Sequence, residues 1–376
     1  MCINFQTDDL VGKLTLVASI VSSKNPIAIL DNVLVRTFND SVVLTCSDSD
    51  TWVSVKAPIT YKDEDFSFCV NAKDFLSTIK NLAGMEVSLK LNANSKTIQG
   101  VYNNGKFTMP YDDASEFPTQ NIKMDDAISQ PVNADVLFGF INKAGVATAN
   151  MELRPVMNGI YFDVYKDHTV GVSSDGCKLV KFTDLRIKGN HNEEKVGFIM
   201  PKKPAGVITS ILSSIHDDVT LSFNEKCISV SHESFKVTTR AIEGRYPNYE
   251  SVIPKSNNIS VVVEKSDLTG ALKRIIPMGN IASCLVKLVF ENGKLTLNAE
   301  DFDFSKSATE SVSCDYSGEQ FVIGFKGTTL LEMIQNIDGD KVRILLTDKQ
   351  RAGVLEPFSN TPSTIYLSLI MPLVID

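Results

Sequence analysis

Val42-Val43-Leu44-Thr45-Cys46-Ser47-Asp48 is an apolar, β-branched stretch that ends in an aspartate, and its pattern recurs twice further along the chain. The second copy is 169–175 and the third is 294–301. The aspartates that end the three copies are 127 and 126 residues apart. Each copy predicts a strand that runs into a turn. A period near 126 in a chain of 376 residues therefore predicts three tandem copies of one domain.

Two further units recur in the same order within the repeats. A short strand running into a helix is predicted at 68–76, 198–204 and 321–328. A turn made of an aromatic residue and a proline closes the first two repeats, at Phe117-Pro118 and Tyr246-Pro247. Three equal domains in a row favour an arc or a ring over a single catalytic cleft. The predicted domains are 1–126, 127–254 and 255–376.

Strand patterns outnumber helical patterns in every repeat. Runs such as 33–38, 219–223 and 286–290 alternate or are β-branched, and turns rich in Asn, Asp and Gly bound them. Helices are short and number two per repeat, so the predicted fold class is α+β. Six segments have apolar residues at helical spacing: 9–22, 73–82, 134–146, 204–214, 267–276 and 328–336.

Composition excludes several classes of protein. No stretch of eighteen consecutive apolar residues occurs, which argues against a membrane-spanning helix. The first residues lack the basic and apolar regions of a signal peptide. The seven cysteines form no CxxC pair, which favours reduced thiols over disulfides or a zinc site. We therefore expect a cytoplasmic protein that does not bind membranes.

Motifs of catalysis are missing from the chain. No phosphate loop, dinucleotide fingerprint, HExxH or GxSxG motif occurs, and the four histidines are scattered. Asp48-Ser49-Asp50 and Asp301-Phe302-Asp303 are candidate cation ligands, but their recurrence at one place in each repeat favours turn-capping aspartates. The sequence thus predicts no enzyme activity, no catalytic residue, no metal site and no cofactor.

Charge is unevenly distributed. The chain carries a net charge of −8, with an isoelectric point near 5.2. Taken with their flanking residues as 10–24, 72–83, 134–146, 201–215, 267–276 and 326–337, the six candidate helices carry ten cations and four anions, a net charge of +6, which leaves −14 for the rest. This pattern suggests that the helices share one face and contact a polyanion there. The alternative is that lysines simply cover exposed helix faces.

Five segments resemble one known family, the bacterial β sliding clamp, which is the processivity subunit of the replicative DNA polymerase. They are 24–34, 154–160, 173–179, 244–254 and 371–373, and they occur in the order of that family. The resemblance runs nearly end to end on a threefold repeat of the right period. Cys177 and Lys178 depart from the histidine and arginine that are usual in the family.

The resemblance implies three tandem clamp domains, each with two helices packed on antiparallel sheets. Two chains would join head to tail into a ring homodimer, with the helices lining a hole for double-stranded DNA. The function implied is topological: the ring tethers the replicative DNA polymerase without chemistry of its own. Partners implied are the polymerase, the clamp loader and other clamp-motif proteins. The basic residues that match the family's channel are Lys24, Lys80, Arg154, Lys202 and Lys203.

The resemblance also implies a pocket between domains two and three for short linear peptides. Its wall would consist of Met157, Ser174, Gly176, Leu179, Pro247, Val252, Met371, Pro372 and Leu373. The expected apolar contacts of the head-to-tail interface are Phe107, Met109, Ile276 and Met278. From the residues alone, most members of both sets could equally be ordinary core.

Two other classes of function remain open from the residues. A multi-domain β-rich scaffold or structural protein would also show tandem strand-rich repeats, and it would not associate with DNA. A hydrolase with an unrecognised site is the third alternative. The absence of catalytic motifs disfavours the hydrolase.

Overall fold

The computed structural model describes residues 1–22, 25, 27–120, 122–151, 153–359 and 361–375. Over these residues it contains 26 strands and six α-helices, in agreement with the α+β prediction. In chain order the strands are β1 (Cys2–Gln6), β2 (Asn32–Phe38), β3 (Ser41–Ser47), β4 (Thr51–Pro58), β5 (Tyr61–Lys62), β6 (Ser67–Asn71), β7 (Glu86–Asn92), β8 (Thr97–Tyr102), β9 (Gly105–Pro110), β10 (Asp112–Asp113), β11 (Ile128–Asn133), β12 (Gly159–Tyr165), β13 (Thr169–Ser174), β14 (Lys178–Asp184), β15 (Lys195–Pro201), β16 (Asp218–Phe223), β17 (Cys227–His232), β18 (Phe235–Arg240), β19 (Ile259–Glu264), β20 (Leu285–Glu291), β21 (Lys294–Asp301), β22 (Lys306–Asp315), β23 (Phe321–Lys326), β24 (Lys341–Leu346), β25 (Gly353–Pro357) and β26 (Thr364–Ile370).

Each α-helix buries one apolar stripe, as the 3.6-residue periodicity predicts. In the second helix the buried residues are Ala72, Phe75 and Ile79, and the Asn71 side chain caps its first turn by accepting from the backbone N–H groups of Lys73 and Asp74. Among the described residues, no helix is long and apolar enough to cross a membrane. The helices are α1 (Thr7–Ala18), α2 (Ala72–Lys80), α3 (Ala134–Ala144), α4 (Lys202–Leu212), α5 (Lys265–Ile275) and α6 (Gly327–Gln335).

The predicted helix limits differ most for α1. This helix begins at Thr7 and ends at Ala18, whereas the prediction was 9–22. The two residues that precede the predicted start, Thr7 and Asp8, are polar, so the apolar periodicity does not register them. The other five helices begin within two residues of their predicted starts.

One compact unit consists of residues 1–138 and 200–241. It contains a five-stranded antiparallel sheet in the order β5-β1-β7-β8-β9 and a nine-stranded sheet in the order β10-β6-β2-β3-β4-β18-β17-β16-β11. The pairing of β4 with β18, from Thr51 opposite Thr239 to Val55 opposite Phe235, joins the first and middle repeats in one sheet. Helices α1 and α2 pack against each other, and α1 also contacts β3 and β4.

The second compact unit consists of residues 139–199 and 242–376. Its twelve-stranded sheet runs β15-β12-β13-β14-β26-β25-β24-β19-β22-β21-β20-β23. The middle and third repeats meet where β14 pairs with β26, from Lys178 opposite Ile370 to Asp184 opposite Thr364. In this unit α5 packs against α6 and against β22.

The repeated aspartates cap turns in two of the three repeats. Asp48 Oδ1 accepts from the Thr51 N–H at 2.9 Å, and Asp175 Oδ1 accepts from the N–H groups of Cys177 and Lys178 at 2.8 Å each. In the third repeat β21 also runs into a turn, at 302–305, but Asp301 does not cap it, because Asp301 is the last residue of the strand and lies buried opposite Lys306. Among the described residues, no group of three or more His, Cys, Asp or Glu side chains is placed to hold a metal ion.

Candidate functional site

The second unit contains a cavity of about 310 Å³. Seven of the nine residues predicted for a peptide pocket line it: Met157, Ser174, Gly176, Leu179, Pro247, Val252 and Met371. A cavity of this size accommodates a few apolar side chains of a peptide. These seven residues come from four separate segments of the chain, which the fold brings together.

The floor of the cavity is formed where the sheet joins two repeats. Leu179 of β14 lies directly opposite Leu369 of β26, and these side chains are 5% and 4% exposed. Both belong to an apolar cluster that also contains Ala352 and Tyr246. Because the floor is part of this buried cluster, the apolar surface of the cavity is fixed by the packing of the unit.

A tight turn forms one rim. Gly176 has a φ of +91°, a conformation that favours glycine. Ser174 Oγ accepts from the Gly176 N–H at 3.1 Å and donates to the Lys178 carbonyl at 2.8 Å. Together with the two hydrogen bonds to Asp175, these contacts hold the turn, which presents the exposed thiol of Cys177 at the rim.

The carboxyl-terminal segment contributes one wall residue. The Met371 N–H donates to the Cys177 carbonyl at 2.8 Å, and the Met371 side chain is 45% exposed. Pro372 and Leu373 are not among the residues that line the cavity. The chain turns away after Met371, because the Leu373 N–H donates to the Gly324 carbonyl of β23 at 2.8 Å.

Sequence reasoning missed the aromatic side of the cavity. Tyr246 and Tyr249 line it, although only Pro247 and Val252 had been predicted from the same segment. Arg154, predicted to contact DNA, is exposed and also lines the cavity. The signal that could have been used is the occurrence of two tyrosines in a segment without strand periodicity. The remaining lining residues that were not predicted are Val156, Cys177, Lys178, Asn248, Ala352 and Leu369.

Charge in the cavity is largely compensated. Lys178 Nζ donates to Glu332 Oε2 at 2.7 Å and to the Val146 carbonyl at 3.0 Å. Burial raises the pKa of the Tyr246 hydroxyl above its usual value, and burial together with the nearby Asp163 charge raises the pKa of Tyr249. Both tyrosines therefore stay neutral, and the cavity offers an apolar surface with a guanidinium at its edge.

The residues predicted to contact DNA have different environments. Lys24 lies outside the described residues. Lys80 is the exposed last residue of α2, and Lys202 is the exposed first residue of α4. Lys203 Nζ donates to the Ile20 carbonyl and lies 3.3 Å from Asp48 Oδ2, so this lysine also holds parts of the first unit together.

Helix charge is less positive than predicted. Helix α1 includes Asp8 and Asp9, and the helices leave out Lys24 and Lys326 but include Lys265. The six helices together therefore carry nine cations and six anions, a net charge of +3. The rest of the chain then carries −11. As predicted, the helices are positive and the rest of the chain is negative. The net charge of the helices is half of the +6 that was predicted for the helical segments with their flanking residues.

The first pair of predicted interface residues lies on an edge strand. β9 ends the five-stranded sheet, and its Phe107 and Met109 side chains are half-buried. The Phe107 ring lies over Gly100 of β8, where an added Cβ would be 2.1 Å from the ring. Phe107 therefore packs at the margin of its own core and is only partly available to a partner.

The second pair lies next to a free strand edge. Ile276 and Met278 belong to a single 3-10 turn that follows α5 and packs against β21 and β22. β22 pairs with β21 along Lys306–Ser313 but reaches β19 only through Cys314 and Asp315. Within the described chain, one side of 306–312 therefore carries no neighbouring strand.

Three family models match this chain in tandem. The N-terminal, central and C-terminal domains of the DNA polymerase III beta subunit match residues 1–122, 131–248 and 250–373, respectively. Together these ranges take in almost all of the sequence.

Individual relatives agree with the family models. The beta sliding clamp of Pseudomonas putida is 23% identical over 373 residues, covering 99% of this chain and 100% of the relative. That of Caulobacter vibrioides is 25% identical over 344 residues, covering 88% and 89%. The crystal structure of the Bartonella birtlesii sliding clamp bound to griselimycin is 25% identical, covers 100% of both chains and has a TM-score of 0.90. This chain belongs to the DNA polymerase III beta subunit family.

Proposed function

We propose that this chain is a DNA sliding clamp that encircles duplex DNA and tethers the replicative DNA polymerase, without catalysis of its own. The observation that carries the proposal is the match of three clamp domains in tandem, supported by the full-length likeness to the Bartonella birtlesii clamp. The domains are proposed at 1–126, 127–254 and 255–376. The clamp would act in the cytoplasm, where it increases the effective concentration of polymerase at the primer end.

DNA would be held through phosphate contacts that carry no sequence information. Lys202 supports this role, because a cation at the amino terminus of α4 opposes the helix dipole and is locally unfavourable. Residues that break a local rule in this way often serve a binding function. Lys80, which is exposed at the end of α2, is a further candidate for a phosphate contact.

The ring would close by a head-to-tail contact between two copies. The edge strand β9 of one protomer would extend the partner's sheet along the free side of β22, so that neither edge stays open. The turn Ile276–Met278 packs beside β22 and would cover the apolar margin of β9. Exposed apolar side chains support the assignment. Met278 and Ile281, which follow α5, are 42% and 79% exposed, and Phe302 and Phe304, in the turn between β21 and β22, are 86% and 67% exposed.

Replacing Met278 by glutamate is expected to raise the dimer dissociation constant at least about tenfold, because the contact would bury a carboxylate without a partner. Sedimentation velocity over a concentration series measures this constant. The matched control is Ile365→Glu, which places the same charge on an apolar side chain of β26 that is 51% exposed. Equal dimerisation of the two variants would contradict the assignment.

The cavity at Leu179 and Leu369 is proposed to bind short linear peptides of the polymerase, the clamp loader and other clamp-motif proteins. Its apolar floor suits aliphatic or aromatic side chains, and Arg154 at the edge suits a polar or acidic peptide group. Griselimycin, which is bound to the Bartonella birtlesii clamp, is a second ligand to test.

Negative-stain images of the purified protein at a concentration that favours dimers test the proposal directly. We expect closed rings with about six lobes and a central hole wide enough for duplex DNA, since each chain supplies three domains. Compact particles without a hole, together with failure to associate with DNA in the presence of a clamp loader, would favour a β-rich scaffold instead.

A further inference from the structure

A buried carboxylate lies behind the cavity. Asp163, in β12, has no exposed surface. Its Oδ1 accepts from the Tyr161 hydroxyl at 3.0 Å. Its Oδ2 accepts from Lys195 Nζ at 2.8 Å, from the Tyr249 hydroxyl at 3.2 Å and from the Tyr165 hydroxyl at 3.4 Å. One carboxylate thus gathers four donors, as a buried charge requires.

Two of these tyrosines connect Asp163 to the cavity wall. Tyr249 lines the cavity itself. Tyr161 stacks on Tyr246, another lining residue, with ring centroids 4.8 Å apart and planes 6° from parallel. The two tyrosines that line the cavity, Tyr246 and Tyr249, are therefore both supported by Asp163, one through Tyr161 and the other directly. Tyr165 also donates to Asp163, but it does not line the cavity.

The segment 243–254 depends on such side-chain contacts for its position. It supplies five of the lining residues but contains no strand and only the 3-10 turn Tyr249–Val252. Its local backbone hydrogen bond runs from the Ser251 N–H to the Asn248 carbonyl. Side chains hold it to the sheet, through Tyr249 to Asp163 and through Glu250 to Lys181.

We propose that Asp163 is a positioning residue for the cavity: through the Tyr249 hydroxyl it holds segment 243–254 in the conformation that forms the peptide-binding wall. This inference rests on the proposed function of the cavity. If Asp163 only stabilised the fold, removing the Tyr165 hydroxyl and removing the Tyr249 hydroxyl would have similar effects on the protein. A positioning carboxylate acts on the wall through Tyr249, because only this hydroxyl belongs to the wall segment.

Tyr249→Phe tests this, with Tyr165→Phe as the matched control, since each removes one hydroxyl from the same Asp163 oxygen and keeps the ring. Hydrogen exchange of the 243–254 amides in the ligand-free protein is the direct measurement. Affinity for a fluorescein-labelled peptide with the clamp-binding sequence of a bacterial replicative polymerase, and for griselimycin, is the second. We expect Tyr249→Phe to raise the amide exchange rate about three- to tenfold and to raise the peptide dissociation constant by about the same factor. We expect Tyr165→Phe to change neither quantity.

A double-variant comparison distinguishes positioning from general stabilisation. Asp163→Asn removes the charge that all four donors share, so we expect it to weaken peptide binding at least as much as Tyr249→Phe. Adding Asp163→Asn to Tyr249→Phe should then cause a smaller further loss than Asp163→Asn causes alone, because the two changes share the contact to the Tyr249 hydroxyl. Unchanged exchange in Tyr249→Phe, or equal effects of both tyrosine variants, would overturn the inference. If the wild-type protein binds neither probe, the proposed function of the cavity is wrong, while the exchange rates still decide whether Asp163 positions the segment.

Discussion

Deleting Met371–Asp376 is expected to weaken the binding of clamp-motif peptides about 100-fold. Met371 is the wall residue of this segment, and its N–H fixes the Cys177 carbonyl of the rim turn. Loss of one buried apolar contact in a small cavity costs about 1.5–3 kcal/mol, and the freed turn adds to this loss. Together, the lost apolar contact and the freed turn correspond to an increase of about two powers of ten in Kd. Fluorescence anisotropy with a labelled peptide measures this change.

The same deletion also uncovers Gly324, so a shorter deletion is needed as a control. An added Cβ on Gly324 would be 2.6 Å from Ile375 Cγ2, which shows how closely the carboxyl-terminal residues cover β23. Removing only Val374–Asp376 takes away that cover but leaves Met371 and the Leu373 hydrogen bond in place. We expect this shorter variant to lose some thermal stability and to bind peptide normally. Normal peptide affinity in the longer deletion, or equal losses in both, would refute the role of Met371 in the cavity.

The threefold organisation could be predicted from the sequence because each repeat carries its own local signals. Alternating strands, an aspartate-bearing turn and an amphipathic helix are properties of neighbouring residues. The joining of repeats within shared sheets could not be predicted in this way. Val55 and Phe235 pair across β4 and β18, and nothing in either strand alone selects the other.

The cavity lining was expected only through the resemblance to the clamp family, whose motifs are short local segments. Gly176 and its neighbours form a local turn that resembles a family motif, so the rim was identified. The hydrogen bond from the Tyr249 hydroxyl to Asp163, on which the proposed role of Asp163 rests, joins residues 86 positions apart, and local patterns do not encode such a contact. Lys203 is a similar case, since its contacts with Ile20 and Asp48 span 183 and 155 residues.

Reversing the charge of Lys202 to glutamate is expected to reduce retention of the clamp on circular DNA without lowering its melting temperature. The side chain is exposed at the start of α4, where glutamate would even suit the helix dipole. Each lost phosphate contact should make the dependence of log K on log salt shallower by about 0.9. Retention after gel filtration of loaded circles, and equilibrium binding over a salt series, measure both effects.

Lys203→Glu must be measured separately from Lys202→Glu. Glutamate at 203 loses the donor to the Ile20 carbonyl and places a like charge beside Asp48, so we expect a loss of about 1–2 kcal/mol in unfolding free energy. Lys90→Glu, an equal charge change at an exposed position of β7, controls for net charge. If Lys202→Glu behaves like wild type and only Lys203→Glu loses retention, in step with its melting temperature, then the loss reflects folding. The amino terminus of α4 would then have no role in DNA binding, and the unfavourable position of Lys202 in the helix dipole would not be evidence for such a role.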